Sequence, residues 1–570
     1  MDYVKIVDVY EELSGTTKGL EKTKILSEFL KKLKGNEEWI YLFRGRVFPD
    51  YDESEFGIST QLVIKSISKA GGVSKDKVIS RLRSIGDLGE IAEEFIGKGK
   101  QEVLFSKKLS VKKVFENLKK LVSINGKGSV DRKLGLIIEL LTSAGGKEAK
   151  YIARTLLNDL RVGVADGLLR DSVAKGFFHD GDGVKELVES AYDKVNDWAH
   201  VLKLAQNGRK ALESVKIVPG RPMKVMLPVK VTELEEAFRI CGKPLAVEHK
   251  YDGFRAIISK NYNGEISLFT RKLDNVTNQF PDVVEIIKKQ VKGKSFIIDS
   301  EIVGYDKKTG RPKPFEAISQ RIRRKYDIND LIKKLPVEVN VFDVMFYNGE
   351  SVLDLKFIDR RKLLEKFINP ASLKIRLSRQ FISSDEKEIL EFYKDALKTG
   401  EEGVMMKKLD APYRPGRRIG YIVKMKPDAK DFDLVITGAE YGSGKRAGGL
   451  TSFYVACKDG EKEFLEVGKV SSGLKEKEEM GTSYKEIDKL LQPLIIKEKD
   501  NYVKVKPKVV VSVTYQNIQK SPRYSSGFAL RFPRITHYRP ERGIYDIATL
   551  KEIGKEAGLE KSWGFKKGLS

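Results

Sequence analysis

At 570 residues, 41% of them hydrophobic, the chain is too long for a single core, and two to four soluble domains are expected. A formal charge of +25 and a pI near 9.5 point to a polyanionic partner. Two cysteines, Cys241 and Cys457, and four histidines exclude a disulfide framework, a cysteine-based zinc site and a histidine-rich site, leaving a hard cation such as Mg²⁺ as the metal to expect.

Residues 1 to about 215 read as helical. Val4, Val7, Tyr10 and Leu13 recur at helical spacing, as do Ile25, Phe29 and Leu33, and then Val111, Val114, Phe115, Leu118 and Leu121. Gly71-Gly72, Asn125 to Gly128 and Gly145-Gly146 break the pattern. The last pair, before Lys147, admits two readings: backbone N–H groups offered to phosphate, or ordinary helix punctuation. A Pro/Gly linker, Val218 to Met223, marks a boundary. Beyond it strands and helices mix. Leu245–Lys250, a strand through Ile257, Ser267–Arg271, Ser295–Val303 and Val337–Phe346 read as strands. Pro281 opens one helix, and Asp359–Phe367 forms another. After about Lys430 the texture turns to short strands: Leu434–Glu440, Phe453–Cys457, Phe464–Val467 and Val503–Tyr515. Gly442 to Gly449 forms a basic hairpin loop between the first two, and so few short strands suit a small β-barrel.

The excess charge is spread along the chain. Residues 1–220 carry 38 basic and 32 acidic side chains, residues 221–430 carry 43 and 30, and residues 431–570 carry 25 and 19. A nucleic acid touched by every part fits this better than a single basic tail does. No apolar run of about 18 residues offers a membrane span, and Met1 to Lys5 does not open a signal peptide, so a cytoplasmic protein is expected. The 33% charged content, rich in Lys and Glu, is of the thermophile kind.

Strand parity picks out the chemistry. In Leu245–Lys250, Glu248 and Lys250 share a face, and Asp252-Gly253 then turns the chain. Taken alone this is a salt-bridged surface hairpin. Downstream, Asp299 and Glu301 share a face, Phe342 and Asp343 fall on opposite faces, Glu402 stands at a strand start, and Lys424 and Lys426 share a face. A nucleophilic amine, several carboxylates, an aromatic ring and two lysines are what a nucleotide bound with Mg²⁺ requires.

The order of these groups resembles that of the covalent nucleotidyltransferases, the family of DNA ligases, RNA ligases and capping enzymes. Lys250-Tyr251-Asp252-Gly253 looks like their Lys-x-Asp-Gly motif. Asp299-Ser300-Glu301, Val341-Phe342-Asp343, Glu402-Gly403-Val404-Met405, Lys424-Met425-Lys426 and Arg531-Phe532-Pro533-Arg534 resemble the motifs that follow. Phe43 to Pro49 and Leu156 to Gly163 resemble the helical DNA-binding domain of archaeal and eukaryotic replicative ligases, so that the similarity is to archaeal ATP-dependent DNA ligases over nearly the whole chain. Two features depart from the pattern: Ile422 stands where tryptophan is frequent, and the basic segment Thr536 to Arg542 has arginine where lysine is usual.

The resemblance implies three domains: an all-α DNA-binding domain over 1–216, an α+β nucleotidyltransferase domain, ATP-grasp-like, over 217–430, and a C-terminal OB-fold barrel over 431–570. It implies a DNA ligase of replication, repair and recombination, monomeric and nucleoid-associated. The substrates would be ATP and nicked duplex DNA, with Mg²⁺ or Mn²⁺ as metal. Lys250 would form a phosphoramidate with AMP, pass it to a 5′-phosphate, and release it on 3′-hydroxyl attack. At a reference pKa of about 10.4 only one lysine in roughly 2,500 is neutral at pH 7, so Mg²⁺, Arg255 and Lys424 would have to disfavour the ammonium. By the same resemblance Glu248 contacts the nucleotide, Arg255 and Arg271 the ribose or phosphate, and Glu301 the ribose or metal. Phe342 stacks on adenine, Glu402 binds metal, and Lys424, Lys426 and Arg418 hold the α-phosphate. Arg531 and Arg534 orient the leaving pyrophosphate. An RNA ligase or guanylyltransferase would not need the large helical domain, an NAD-dependent ligase would need clustered cysteines, and a non-catalytic DNA-binding relative would not need Lys250, Glu301, Glu402 and Lys424. Gln101 to Phe105 is a candidate sliding-clamp peptide.

Overall fold

The computed structural model describes the chain apart from residues 53, 99–107, 179–182, 323, 325–327, 417–419, 428–429, 443–445, 447, 461–462, 477–478, 480, 500 and 559–570. The candidate clamp peptide Gln101–Phe105 and the phosphate-site candidate Arg418 lie outside the described residues. The chain forms two compact units, residues 1–72 with 92–427, and residues 73–91 with 428–570.

Among the described residues, every regular element from Val4 to Glu213 is helical. The helix Val4–Gly15 buries Ile6, Val7, Val9, Tyr10 and Leu13. Val4, expected on that face, is exposed, because Tyr3 just before the helix fills the end of the apolar stripe. The helix Val111–Ser123 buries all five residues that its spacing picks out, and the Ser110 hydroxyl caps it by accepting from the Lys113 N–H. At Gly145-Gly146 the structure favours packing over phosphate binding. The Gly145 N–H donates to Glu148, and a Cβ on Gly146 would lie 3.1 Å from the Glu93 carbonyl oxygen. Asp166 pairs with Arg44 inside the helical part and ties it to the following segment through Lys224.

The same unit then builds two sheets. Its strands are β1 (Val229–Val231), β2 (Leu245–Lys250), β3 (Phe254–Lys260), β4 (Ile266–Thr270), β5 (Phe296–Tyr305), β6 (Pro312–Lys313), β7 (Val337–Tyr347), β8 (Glu350–Ser351), β9 (Ile375–Leu377), β10 (Gln380–Ser383), β11 (Gly403–Lys408) and β12 (Ile422–Met425). One sheet runs β1-β12-β11-β2-β10. The other runs β4-β3-β5-β7-β8, with β6 on β5 and β9 on β7. Alternation sends Val247, Val404, Met406 and Val423 outward to the helices Leu234–Cys241 and Glu386–Lys398. Ile258, Ile298, Ile302 and Val339 face the helices Pro281–Gln290 and Phe357–Phe367. A third cluster joins Ile257, Ile297 and Met345 of the second sheet to Ile422 of the first, so the inner faces of the two sheets meet.

Strict alternation fails at one informative place. Val341 and Val344 both reach the same apolar core, and the β5–β7 register slips there, with Asp299 paired to Asp343 but Ser300 to Val341. The bulge leaves Phe342 and Asp343 together on the other side, not on opposite faces as a regular strand would place them. Asp343 is bound by Arg360 at 2.7 and 3.0 Å, and Arg360 also donates to the Leu355 and Ala411 carbonyls. Both side chains are about 1% exposed.

In the second unit the strands are β13 (Asp431–Tyr441), β14 (Leu450–Asp459), β15 (Glu463–Val470), β16 (Ile495–Lys499), β17 (Tyr502–Val505), β18 (Val510–Thr514), β19 (Ile518–Lys520), β20 (Phe528–Leu530) and β21 (Arg534–Tyr538). The stretch expected as one strand over Val503–Tyr515 is two, β17 and β18, with Pro507 between them, where the missing N–H interrupts the ladder. The first half of β13 pairs with β18 and its second half with β17, across a register shift between Ile436 and Gly438. Leu434, Ile436, Phe453, Val467, Val503, Val511 and Ile535 share one core.

The Arg360–Asp343 pair gives a test of this packing. Arg360→Met strands a buried carboxylate and should lower unfolding free energy by about 3–5 kcal/mol in a urea titration. Arg360→Met with Asp343→Leu removes both charges and should recover most of that loss. Equal destabilisation of the two variants would refute the account.

Candidate active site

The inner faces of the two sheets enclose a cavity of about 280 Å³. The first sheet contributes Glu248 and Lys250 from β2, Met405 and Lys407 from β11, and Ile422 and Lys424 from β12. Each is an alternate residue, and the ladder sets them in rows: Lys424 pairs with Met405 and Met405 with Glu248, while Lys407 pairs with Ile422. The second sheet contributes Arg255, Glu301 and Phe342, and the turn after β4 contributes Arg271. Phe342 reaches the cavity because of the β7 bulge.

Two glycines make the closure possible. A Cβ on Gly253 would lie 2.3 Å from the Ile302 carbonyl oxygen, and one on Gly403 would lie 2.3 Å from that of Met425. Gly403 also has φ +142°, a backbone state that side chains disfavour. Lys250 sits directly opposite Gly403, and its carbonyl accepts from the Glu402 N–H at 2.9 Å.

The charges are ordered. The Lys250 Nζ is ion-paired with the Glu402 carboxylate, and both side chains are about one-fifth exposed. Burial works against the Glu402 carboxylate, but Lys250 and Lys426 hold it below the usual range. Burial pushes the Glu301 carboxyl up to about 8, with Glu402 and Asp299 adding to the shift and Lys250 and Arg255 opposing it. Burial, then the charges of Lys250, Lys426 and Arg271, lower the Lys424 ammonium, which marks a cluster of cations beside the nucleophile candidate. Arg255 is held by Asp299 at 2.5 and 2.9 Å and by the Met226 carbonyl at 2.8 Å, and its guanidinium lies 5.4 Å from the centre of the Phe342 ring. Tyr413 donates to Asp299 at 2.7 Å and completes that buried group.

Of the residues picked out by sequence, Glu248, Lys250, Arg255, Arg271, Glu301, Phe342 and Lys424 line this one cavity. Glu402 joins through Lys250. Lys426 lies just past the end of β12, close enough to act on Glu402. Arg531 and Arg534 belong to the other compact unit. There the Arg531 guanidinium lies 5.0 Å from the Phe532 ring centre, and Arg534 is exposed on β21. Sequence reasoning missed Lys407 and Gln380, whose side chains both bond to Glu248. The parity that found Lys424 would have found Lys407, two residues beyond Met405 on the cavity face of β11.

Among the described residues no group of three or more His, Cys, Asp or Glu side chains could hold a metal by itself. Glu301 and Glu402, close enough to act on one another, suit a hard cation that takes its remaining ligands from phosphate oxygens and water.

Comparison with known proteins agrees in all three parts of the chain. Residues 2–174 match the family model described as DNA ligase N terminus, residues 225–426 the ATP dependent DNA ligase domain, and residues 446–542 the ATP dependent DNA ligase C terminal region. The chain is 44% identical to a DNA ligase of Nanoarchaeum equitans over 97% of this chain and 98% of that one. It is 40% identical to a DNA ligase of Thermococcus fumicolans over the full length of both. A solved structure described as Pmar-Lig_Pre, 17% identical, superposes with a TM-score of 0.58 over 94% of this chain and 98% of that one, which is a likeness of fold.

His249 supplies a test of how tightly the β2 strand is enclosed. It is 7% exposed, packs 4.6 Å from the Phe392 ring, and its Nε2 is buried without a partner among the described residues. Burial, with Arg379, pushes its imidazole down to about 4. Below pH 6.5 the unfolded chain binds a proton that the folded chain refuses, so stability is intact above pH 6.5 and falls as pH drops toward 4. His249→Phe should remove that slope, about 3 kcal/mol over the window, in unfolding measurements at stepped pH. An unchanged slope would show His249 to be solvated.

Proposed function

The chain belongs to the ATP-dependent DNA ligases, and from that premise we propose that it seals nicks in duplex DNA by carrying AMP on Lys250. The observation that carries this reading is the Lys250 amine at the end of β2, paired with Glu402 at the wall of a cavity that also holds an aromatic ring and a cluster of cations.

In the first step the Lys250 Nζ, without its proton, attacks the α-phosphorus of ATP. A P–N bond forms, the bond to the bridging oxygen breaks, and pyrophosphate leaves. Phe342 on one side and Met405 and Ile422 on the other hold the base. Lys424, Lys426 and Arg418 neutralise the α-phosphate, and Arg271 contacts the ribose or phosphate. Arg255, fixed by Asp299, stiffens the wall behind Phe342. Glu301 and Glu402 would hold Mg²⁺ or Mn²⁺, which when bound neutralises phosphate charge. In the second step a 5′-phosphate oxygen attacks the adenylate and Lys250 leaves. In the third the 3′-hydroxyl attacks the 5′-phosphorus and AMP leaves. All three are in-line transfers, for which positioning and charge neutralisation supply the rate.

The helices through Glu213 and the strands from Val229 onward support a three-domain assignment. Residues 1–216 are a helical DNA-binding domain, 217–430 the adenylation domain, and 431–570 an OB-fold. The support for the OB-fold is the bent β13, which pairs with β18 and then β17 around one core. The basic excess in each part suits a monomer that grips duplex DNA. Roles in replication, repair and recombination follow from nick sealing, with Gln101–Phe105 as a contact for a sliding clamp.

Incubation with α-labelled ATP and Mg²⁺ should label the wild type covalently, and nicked duplex should discharge the label. Lys250→Ala should take no label. A label that persists in Lys250→Ala would move the nucleophile elsewhere.

Arg531 and Arg534 serve the first step. Arg531→Ala should slow lysyl-AMP formation by about 100-fold or more, the scale for losing a charged transition-state contact, while sealing of a pre-adenylated nick falls far less. Normal adenylation with lost sealing would overturn this assignment.

A further inference from the structure

We propose that Lys407 is a positioning residue that sets the preference for adenine over guanine, by fixing Glu248 and Phe342 at the base end of the cavity. This rests on the reading of the cavity as the ATP site. Lys407 is 2% exposed, unusual for a lysine, and its ammonium is fully engaged. It pairs with Glu248 Oε2 at 2.7 Å and donates to the Phe342 carbonyl at 3.3 Å. It also lies 4.7 Å from the centre of the Phe342 ring and 4.6 Å from that of Phe357. One cation therefore fixes both the carboxylate and the ring.

The second Glu248 oxygen, Oε1, accepts from Gln380 Nε2 at 2.7 Å. With both oxygens pinned, the carboxylate cannot rotate, and an ion-paired carboxylate presents acceptors only. Position 6 of a purine is an amino donor in adenine and a carbonyl acceptor in guanine. A fixed acceptor bonds to the first and faces the lone pairs of the second, and a site built around such a bond rejects the analogue that lacks the donor. Lys407 is out of place for the phosphate end: its cross-strand partner is Ile422, two residues before Lys424.

The test separates base recognition from chemistry by following covalent labelling of the full chain with α-labelled ATP or GTP. In Lys407→Met the KM for ATP should rise about 10- to 100-fold while the maximal labelling rate changes less than the KM. The ATP-to-GTP ratio of kcat/KM should fall at least tenfold. Glu248→Gln should lower the same ratio, and the double variant Glu248→Gln with Lys407→Met should be no less selective than Glu248→Gln alone, since Lys407 acts through Glu248. The double variant also leaves no unpaired buried carboxylate, so it keeps the test open if Lys407→Met does not fold. An unchanged ratio in Lys407→Met, or additive losses in the double variant, would overturn the inference. Failure of the wild type to label from ATP would instead overturn the ATP-site reading itself.

Discussion

Gly253 and Gly403 shape the cavity by having no side chain. At each, a Cβ would stand 2.3 Å from a neighbouring carbonyl oxygen, well inside contact distance and against rigid backbone. Gly253 lies in the turn by which β2 of one sheet passes to β3 of the other, and Gly403 opens β11 beside the carbonyl of Met425, the last residue of β12. Lys250 stands between them, at the end of β2 and opposite Gly403. The nucleophile candidate is therefore placed by backbone approach, which is stiffer than any side-chain contact and is fixed before a substrate arrives.

Around that point the buried charges are neutralised locally. Arg255 is matched by Asp299 and Tyr413, Lys407 by Glu248, and Arg360 by Asp343. An unmatched charge at this depth would cost several kcal/mol. Each match also links two elements that sequence separates: β3 to β5, β2 to β11, and β7 to the helix Phe357–Phe367. The pairs thus tie neighbouring strands within each sheet and one helix to the second sheet, and it is the Lys407 donation to the Phe342 carbonyl that crosses from one sheet to the other.

Much of this was legible in the sequence because period-2 alternation survives wherever strands are regular. It put Glu248 with Lys250, and it set Val423 and Met425 on the face away from Lys424. It failed where geometry departs from the period. The β7 bulge moves Phe342 to the side of Asp343, and a bulge leaves no local signature when both flanking residues are valines. Pro507 did signal the break between β17 and β18, and the even run of valines on either side masked it. Tyr3 displaced Val4 because a helix's apolar stripe continues past its first turn. Lys407 went unseen for another reason. A lysine is read as solvated unless its partners are known, and its partners lie 159 and 65 residues upstream, at Glu248 and Phe342.

The cavity is consequently divided into two electrostatic regions. At the Glu248–Lys407–Phe342 end the charges cancel and the groups are locked, which suits recognition of a neutral planar ring by shape and a few oriented hydrogen bonds. At the Lys250–Lys424–Lys426–Arg271 end burial and then the neighbouring cations depress Lys424, a surrounding that suits a group carrying several negative charges. A nucleotide has this polarity, a neutral base at one end and phosphates at the other. On the proposed reading of the cavity as the ATP site, the orientation that suits both regions would put phosphorus beside the Lys250 amine.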